Sequence, residues 1–215
     1  MDYEYILFDM DGTLNESGKG IIHCFQETLR RIGLPEKEDS ELIFTVGPPL
    51  SDSFAKLGVA DKDIEKTIKI YREYYVRDGM FMSEPYKGVR EMLAELKSAG
   101  KKLLVATSKN EPMTVEILKH YNLDSFFEFV AAATLDSTRI TKSDVITYAL
   151  QNISEKNKDK IIMVGDREND IAGAECNGID SVGVLYGYGS KKELEEAGAT
   201  YIAETPEKVT ELLLG

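Results

Sequence analysis

Tryptophan is absent from this chain, and cysteine and histidine are nearly so: of 215 residues, two are cysteine (Cys24, Cys176) and two are histidine (His23, His120). Two isolated cysteines make neither a disulfide framework nor a thiolate metal centre, and they suit a reducing compartment, so a cytoplasmic protein is expected. Both histidines fall in helical patterns without a metal-spaced partner, which leaves them packing or surface roles. Positive charge is in deficit, with 26 Lys and Arg against 38 Asp and Glu and a formal charge of -12. Without a basic patch to release counterions from a phosphate backbone, nucleic acid is not an expected partner. A small anionic substrate would need a local cation to overcome that field. Long apolar runs are missing and the opening Met1-Asp2-Tyr3-Glu4 is acidic, so neither a membrane span nor a signal peptide is expected. Neither G-x-x-x-x-G-K-[ST] nor G-x-G-x-x-G occurs, which removes the nucleotide-binding turns that they spell. Repeats and low-complexity tracts are missing as well. What remains, 42% hydrophobic and 30% charged, is ordinary for a globular protein able to bury one full core or two modest ones.

The stretch around which the chain is organised is Ile6-Leu7-Phe8-Asp9-Met10-Asp11-Gly12-Thr13-Leu14. An apolar run that stops in Asp-x-Asp-Gly-Thr reads as a buried strand entering a tight turn. Strand side chains alternate, so Asp9 and Asp11 share a face. Two carboxylates at one strand end are unfavourable unless a cation sits between them, and a hard divalent ion suits oxygen ligands. Read alone, the fragment is equally an acidic turn.

Three other fragments change that balance. Leu103-Leu104-Val105-Ala106-Thr107-Ser108 is a strand ending in hydroxyls; Thr141-Lys142-Ser143-Asp144 opens a helix with a lysine; Ile161 to Asp170 is a strand ending in more acids. In an open parallel sheet the carboxyl ends of strands gather on one edge, where ligands bind.

Between and around these fragments the pattern divides the chain. Residues 15–84 read as helical, beginning after a polar, flexible break at residues 15–20. Ile22, Phe25, Leu29 and Ile32 recur at helical steps up to Gly33. A short segment spans 41–46, Gly47-Pro48-Pro49 forces a loop, and helices are expected over 50–57 and 61–77, the last with Ile64, Ile68, Tyr71 and Tyr75 on one face. From 85 onward strand and helix alternate: strands at 102–107, 126–133, 160–165, 181–185 and 201–203, helices at 89–99, 112–121, 142–152, 168–177 and 206–214. With the first strand at 3–10, this predicts an α/β fold, a Rossmann-like doubly wound and mainly parallel sheet. The expected organisation is an α/β core of residues 1–14 and 85–215 carrying an inserted helical cap of residues 15–84 on a two-stranded hinge, able to close over a site.

The four fragments resemble the four motifs of the haloacid dehalogenase superfamily in its phosphatase branch, over nearly the whole chain. The likeness is greatest to phosphoglycolate phosphatase and 5′-nucleotidase-like members with a helical cap after the first motif. It implies a Mg2+-dependent phosphatase acting on a small phosphorylated metabolite, with Asp9 as nucleophile and Asp11 as acid and base; elementary chemistry points the same way. A carboxylate at an in-line position can take the phosphoryl group, and a second on the same face can protonate the leaving oxygen. Thr107 and the amide of Ser108 are expected to donate hydrogen bonds to the phosphoryl group. Lys142 is expected to neutralise it and keep Asp9 ionised. A lysine at a helix start opposes the helix dipole, which hints at such a use. By resemblance Asp166 joins Asp9 and Asp11 around the metal, while Asp170 orients a metal-bound water or Lys142. Ser143 stands where relatives often carry proline, which loosens the correspondence there. Gly18, Lys19, Gly47 and Pro48 are the expected substrate selectors. Lys109, Asn110 and Arg167 adjoin the motifs without any spacing that demands a role, and Tyr71, Tyr74 and Tyr75 read as core. A monomer or weak dimer is expected. Three alternatives stay open: a sugar-phosphate mutase with the same site, a phosphate-sensing module like a receiver domain, and a catalytically silent binding protein.

Overall fold

The computed structural model describes residues 2–136 and 138–215. The chain begins with β1 (Tyr5–Phe8), then β2 (Asn15–Glu16), and a run of helices: α1 (Gly18–Ile32), α2 (Asp39–Leu42), α3 (Leu50–Lys56) and α4 (Asp61–Tyr74), the last continued by a π turn over Tyr75–Gly79. After β3 (Glu84–Pro85) come α5 (Val89–Ser98), β4 (Lys102–Asn110), α6 (Glu111–His120), β5 (Phe129–Ala133), α7 (Lys142–Gln151), β6 (Ile161–Gly165), α8 (Glu168–Asn177), β7 (Asp180–Val184), α9 (Lys191–Glu196), β8 (Tyr201–Ala203) and α10 (Pro206–Leu214). Six strands form one sheet in the order β5-β4-β1-β6-β7-β8, every pairing parallel, while β2 and β3 pair antiparallel apart from it.

The alternation within β1 builds two cores. Ile6 and Phe8 join Met92, Leu93, Leu96, Val209 and Leu213 on the face covered by α5 and α10. Tyr5 and Leu7 join Val145, Ile146, Ala149 and Ala174 on the face covered by α7 and α8. Strands buried on both faces by helices are what an all-parallel sheet requires. The helices between β2 and β3 share an aromatic core: the ring of Phe25 lies 4.7 Å from Phe54 and 4.8 Å from Tyr71, centroid to centroid.

Two local expectations are corrected. Residues 15–20 are not a flexible break, since Asn15–Glu16 pairs with Glu84–Pro85 and α1 starts at Gly18. The glycines there serve contact instead: a Cβ on Gly20 would come within 2.2 Å of the Gly79 carbonyl oxygen. The strand foreseen at 102–107 runs on to Asn110, with a register shift between Thr107 and Asn110. Helix α9 had no counterpart in the sequence pattern because only Leu194 of its residues is buried. No helix among the described residues is long and apolar enough to cross a membrane.

Candidate active site

The middle of the sheet sets the site. Because β1 lies between β4 and β6, with Phe8 level with Val105 and Val164, the residues that follow these strands converge at one edge. Asp9 donates its backbone N–H to the Val164 carbonyl at 2.9 Å, which holds the chain in line as it leaves the strand. Gly12 then turns it at φ +86, a left-handed conformation that glycine adopts without strain; a Cβ there would sit within 2.5 Å of the Asp166 carboxylate.

Lys142 reaches this edge from the opposite direction. Thr141 caps α7 by accepting the Asp144 N–H, and the Asp144 carboxylate accepts the Thr141 N–H in return. The first helical residue is therefore Lys142, whose side chain is 4% exposed and makes three contacts: 2.6 Å to Asp9 Oδ1, 2.7 Å to Asp170 Oδ1, and a hydrogen bond donated to the Ala106 carbonyl at 3.0 Å. Gly173 makes room for the lysine stem, since a Cβ there would lie 2.8 Å from Lys142 Cγ. The macrodipole and burial both oppose this cation; two aspartates outweigh them and hold Lys142 above its ordinary pKa.

Asp9, Asp166 and Asp170 place carboxylate oxygens within 4.8 Å of one another, all buried. Asp166 accepts the Tyr188 N–H at 2.8 Å and the Thr13 hydroxyl at 3.4 Å. It does not cap α8: Arg167 is the capping residue, and Asp170 Oδ2 accepts the Arg167 N–H at 3.1 Å. Burial, reinforced by Asp170 and Asp11 and opposed by Lys142, pushes Asp9 up to about 6. Burial followed by repulsion from Asp170 and Asp9 drives Asp166 well above the ordinary carboxylate range. Three buried acids against one lysine leave an excess of negative charge that a hard divalent cation would balance, so the donor set fits such an ion.

Asp11 belongs to a second, adjoining constellation. Its Oδ2 lies 2.9 Å from Lys109 Nζ, and Lys109 in turn donates to the Tyr75 hydroxyl at 2.8 Å. Asp11 Oδ1 is buried with no hydrogen-bond partner among the described residues. Burial opposes the charge on Lys109, but Asp11 and Tyr75 outweigh it and keep the lysine above its ordinary pKa. Lys109 and Tyr75 thus carry a link from the helical segment to Asp11 that sequence reading missed. A signal existed: Lys109 follows Thr107 by two residues in an extended strand, so both present the same face.

Thr107 is 1% exposed at the strand edge, where its hydroxyl accepts the Lys109 N–H at 3.2 Å, leaving its proton free to donate. Ser108, Gly47 and Pro48 line a cavity of about 130 Å3 between the helical segment and the sheet edge, together with Asp11 and Lys109. Gly18 and Lys19 do not line it: Gly18 N–H donates to the Tyr188 hydroxyl at 2.6 Å, and Lys19 is exposed. Arg167 braces the cavity rim, donating to the Val46 carbonyl at 2.7 Å while pairing with Glu193 at 2.8 Å.

This arrangement has known counterparts. The family model described as haloacid dehalogenase-like hydrolase matches residues 6–184. The protein named tyrosine-protein kinase PtkA of Mycobacterium tuberculosis is 36% identical over 98% of this chain and 72% of its own length. A 5′-nucleotidase of Pseudomonas aeruginosa is 34% identical over 93% of this chain and 90% of its own. Among solved structures, a predicted phosphatase from Clostridium acetobutylicum superposes with a TM-score of 0.96 at 38% identity, covering 100% of this chain and 99% of the other. With a match that runs from β1 through β7 and takes in every acid and lysine of the sheet edge, the chain belongs to the haloacid dehalogenase-like hydrolases and is a phosphatase of that family.

Proposed function

We propose that the protein hydrolyses a small phosphomonoester through a phosphoryl intermediate on Asp9, with Mg2+ as cofactor and phosphoglycolate or a nucleoside monophosphate as substrate. The observation that carries this reading is the Asp9 carboxylate, presented at the end of β1 with Oδ1 held 2.6 Å from Lys142 Nζ inside a cluster of buried acids. A phosphate monoester resists attack because its own charge repels nucleophiles and its alkoxide leaves badly, so positioning, charge neutralisation and a proton donor are what an enzyme must add.

In the first half, an Asp9 oxygen bonds to phosphorus as the bond from phosphorus to the ester oxygen breaks. Asp11, protonated for this step on the unpartnered Oδ1 while Oδ2 keeps its contact with Lys109, supplies the proton that turns the leaving alkoxide into an alcohol. Lys142 keeps Asp9 ionised and offsets phosphoryl charge, while the Thr107 hydroxyl and Ser108 N–H donate to the transferring oxygens. In the second half Asp11, now a carboxylate, takes a proton from water as that water attacks phosphorus, freeing Asp9 and inorganic phosphate. Asp9, Asp166 and Asp170, whose carboxylate oxygens lie within 4.8 Å of one another, would hold Mg2+, which when bound would supply further neutralisation of the phosphoryl oxygens. Lys109 and Tyr75 hold Asp11 in place and close the cavity from the side of the helical cap. The cavity, about 130 Å3, is below the roughly 300–1,000 Å3 usual for drug-sized ligands, which favours a small molecule over a protein chain as substrate.

A panel of phosphorylated metabolites assayed for inorganic phosphate tests this reading. Release that requires Mg2+, stops with EDTA and is lost in Asp9→Asn is expected; isomerised sugar phosphate in place of free phosphate would point to a mutase instead. Saturating Mg2+ is expected to raise the melting temperature as well, because a ligand at a hundred times its Kd adds about 2.7 kcal/mol.

A further inference from the structure

The cavity carries one charge that the proposed chemistry does not use. Helix α4 and the π turn after it set Ile68, Tyr71, Arg72 and Tyr75 on one face, and all four line the cavity opposite Ser108 and Lys109. Arg72 is half-buried, and its Nε is buried with no hydrogen-bond partner among the described residues. Other arginines of the helical segment do find acids: Arg31 pairs with Glu73, and Arg77 with Asp78. Arg72 has no ion pair among the described residues, and burial alone acts on its pKa, lowering it.

Among the described residues the only acid lining the cavity is Asp11, which Lys109 already holds at 2.9 Å. The wall therefore keeps one uncompensated cation in a chain of formal charge -12. A desolvated donor without an acceptor is unfavourable, and a guanidinium fork matches a carboxylate or phosphate in shape and charge. The phosphoryl end of the substrate is served by Thr107, Ser108 and Lys142, so Arg72 meets a different part of the ligand.

We propose that Arg72 recognises a second oxyanion on the substrate, making the substrate class a short phosphomonoester that carries a carboxylate or a further phosphate group. The proposal rests on the phosphatase reading above, and it separates the two substrates named there: phosphoglycolate has a second anion, a nucleoside monophosphate does not.

Three probes of similar size test it: 2-phosphoglycolate, the bisphosphate of ethylene glycol, and ethyl phosphate, which lacks a second anion. The expected wild-type kcat/KM favours one of the two probes with a second anionic group over ethyl phosphate by about 10- to 100-fold, the range for a charge-assisted hydrogen bond. Which of the two is preferred identifies carboxylate or phosphate as the group bound. In Arg72→Met the ratio falls toward unity, and Arg72→Lys restores part of it; Arg72→Gln is read in the same way if the Met variant does not fold. A wild-type ratio near unity, or a ratio that survives in Arg72→Met and Arg72→Gln, overturns the proposal. Failure of the phosphatase reading looks different, as no phosphate released from any probe with Mg2+ present. Calorimetric binding of the same three probes to the wild-type and Arg72→Met chains then decides the subsite without turnover: tighter binding of a probe with a second anionic group, lost in Arg72→Met, supports it, and equal binding overturns it.

Discussion

Two buried lysines meet the acids that follow β1, and they do so from opposite sides. Lys142 comes from the first turn of a helix in the α/β core, ties together Asp9, Asp170 and the Ala106 carbonyl, and among the described residues makes no hydrogen bond or ion pair to the helical segment. Lys109 comes from the end of β4, holds the single carboxylate of Asp11, and spends another donor on Tyr75, which the helical segment contributes. The first arrangement is complete within the core; the second is complete only while the helical segment lies against it. The Asp9 side is thus organised by the core, and the Asp11 side by contact with the helical segment.

Removing the core lysine is expected to do the greatest damage. Lys142→Met leaves two buried carboxylates facing each other, and loss of one partner from a buried ion pair costs about 3–5 kcal/mol. At about 2–4 °C per kcal/mol for a chain of this size, melting is expected to fall on the order of 10 °C by calorimetry, with phosphate release at background. Lys109→Met strands one carboxylate, so a smaller drop in melting temperature is expected, with kcat lowered by about 100-fold, within the range for a general acid-base group. Equal losses of stability in the two lysine variants would erase the distinction.

Tyr75→Phe isolates the link between the two regions, because it deletes only the hydroxyl that joins the helical segment to Lys109. A loss of roughly 10-fold in kcat is expected, the lower end for a hydrogen bond to a charged group, with ring packing against Tyr71 kept and little change in melting. Wild-type kcat in this variant would mean that the contact does not help to place Asp11. The smallest effect concerns Cys24, buried in α1, whose thiol is pushed up to about 12 by burial first and by Asp78 next. A raised pKa means that thiolate is scarce at pH 8, so iodoacetamide is expected to label the exposed Cys176 alone, and Cys24 only after denaturation. Mass spectrometry of the two peptides reads this directly.

The same division explains what could be read from sequence. Asp9, Asp11, Asp166 and Lys142 each close an apolar run or open a helix, so strand alternation and helix-start rules were enough to bring them to one edge. The parallel order of the sheet followed from the regular strand-helix alternation. Lys109 and Arg72 escaped because their meaning lies in partners far along the chain or in the want of one. Arg72 sits beside Tyr71 at the edge of the apolar stripe of Ile64, Ile68, Tyr71 and Tyr75, and an arginine at the edge of such a stripe is the available sign. Residues 15–20 misled for a related reason, since glycines that pack closely, Gly18 against Tyr188 and Gly20 against Gly79, have the composition of a loose linker.

The central claim is that Asp9 carries the phosphoryl group between substrate and water. Rapid acid quench of the wild-type chain during turnover, followed by peptide mass spectrometry, tests it most directly. The account predicts one added phosphoryl group on the peptide containing Asp9, absent in Asp9→Asn. A phosphoryl group on any other residue, or turnover retained by Asp9→Asn, would contradict it.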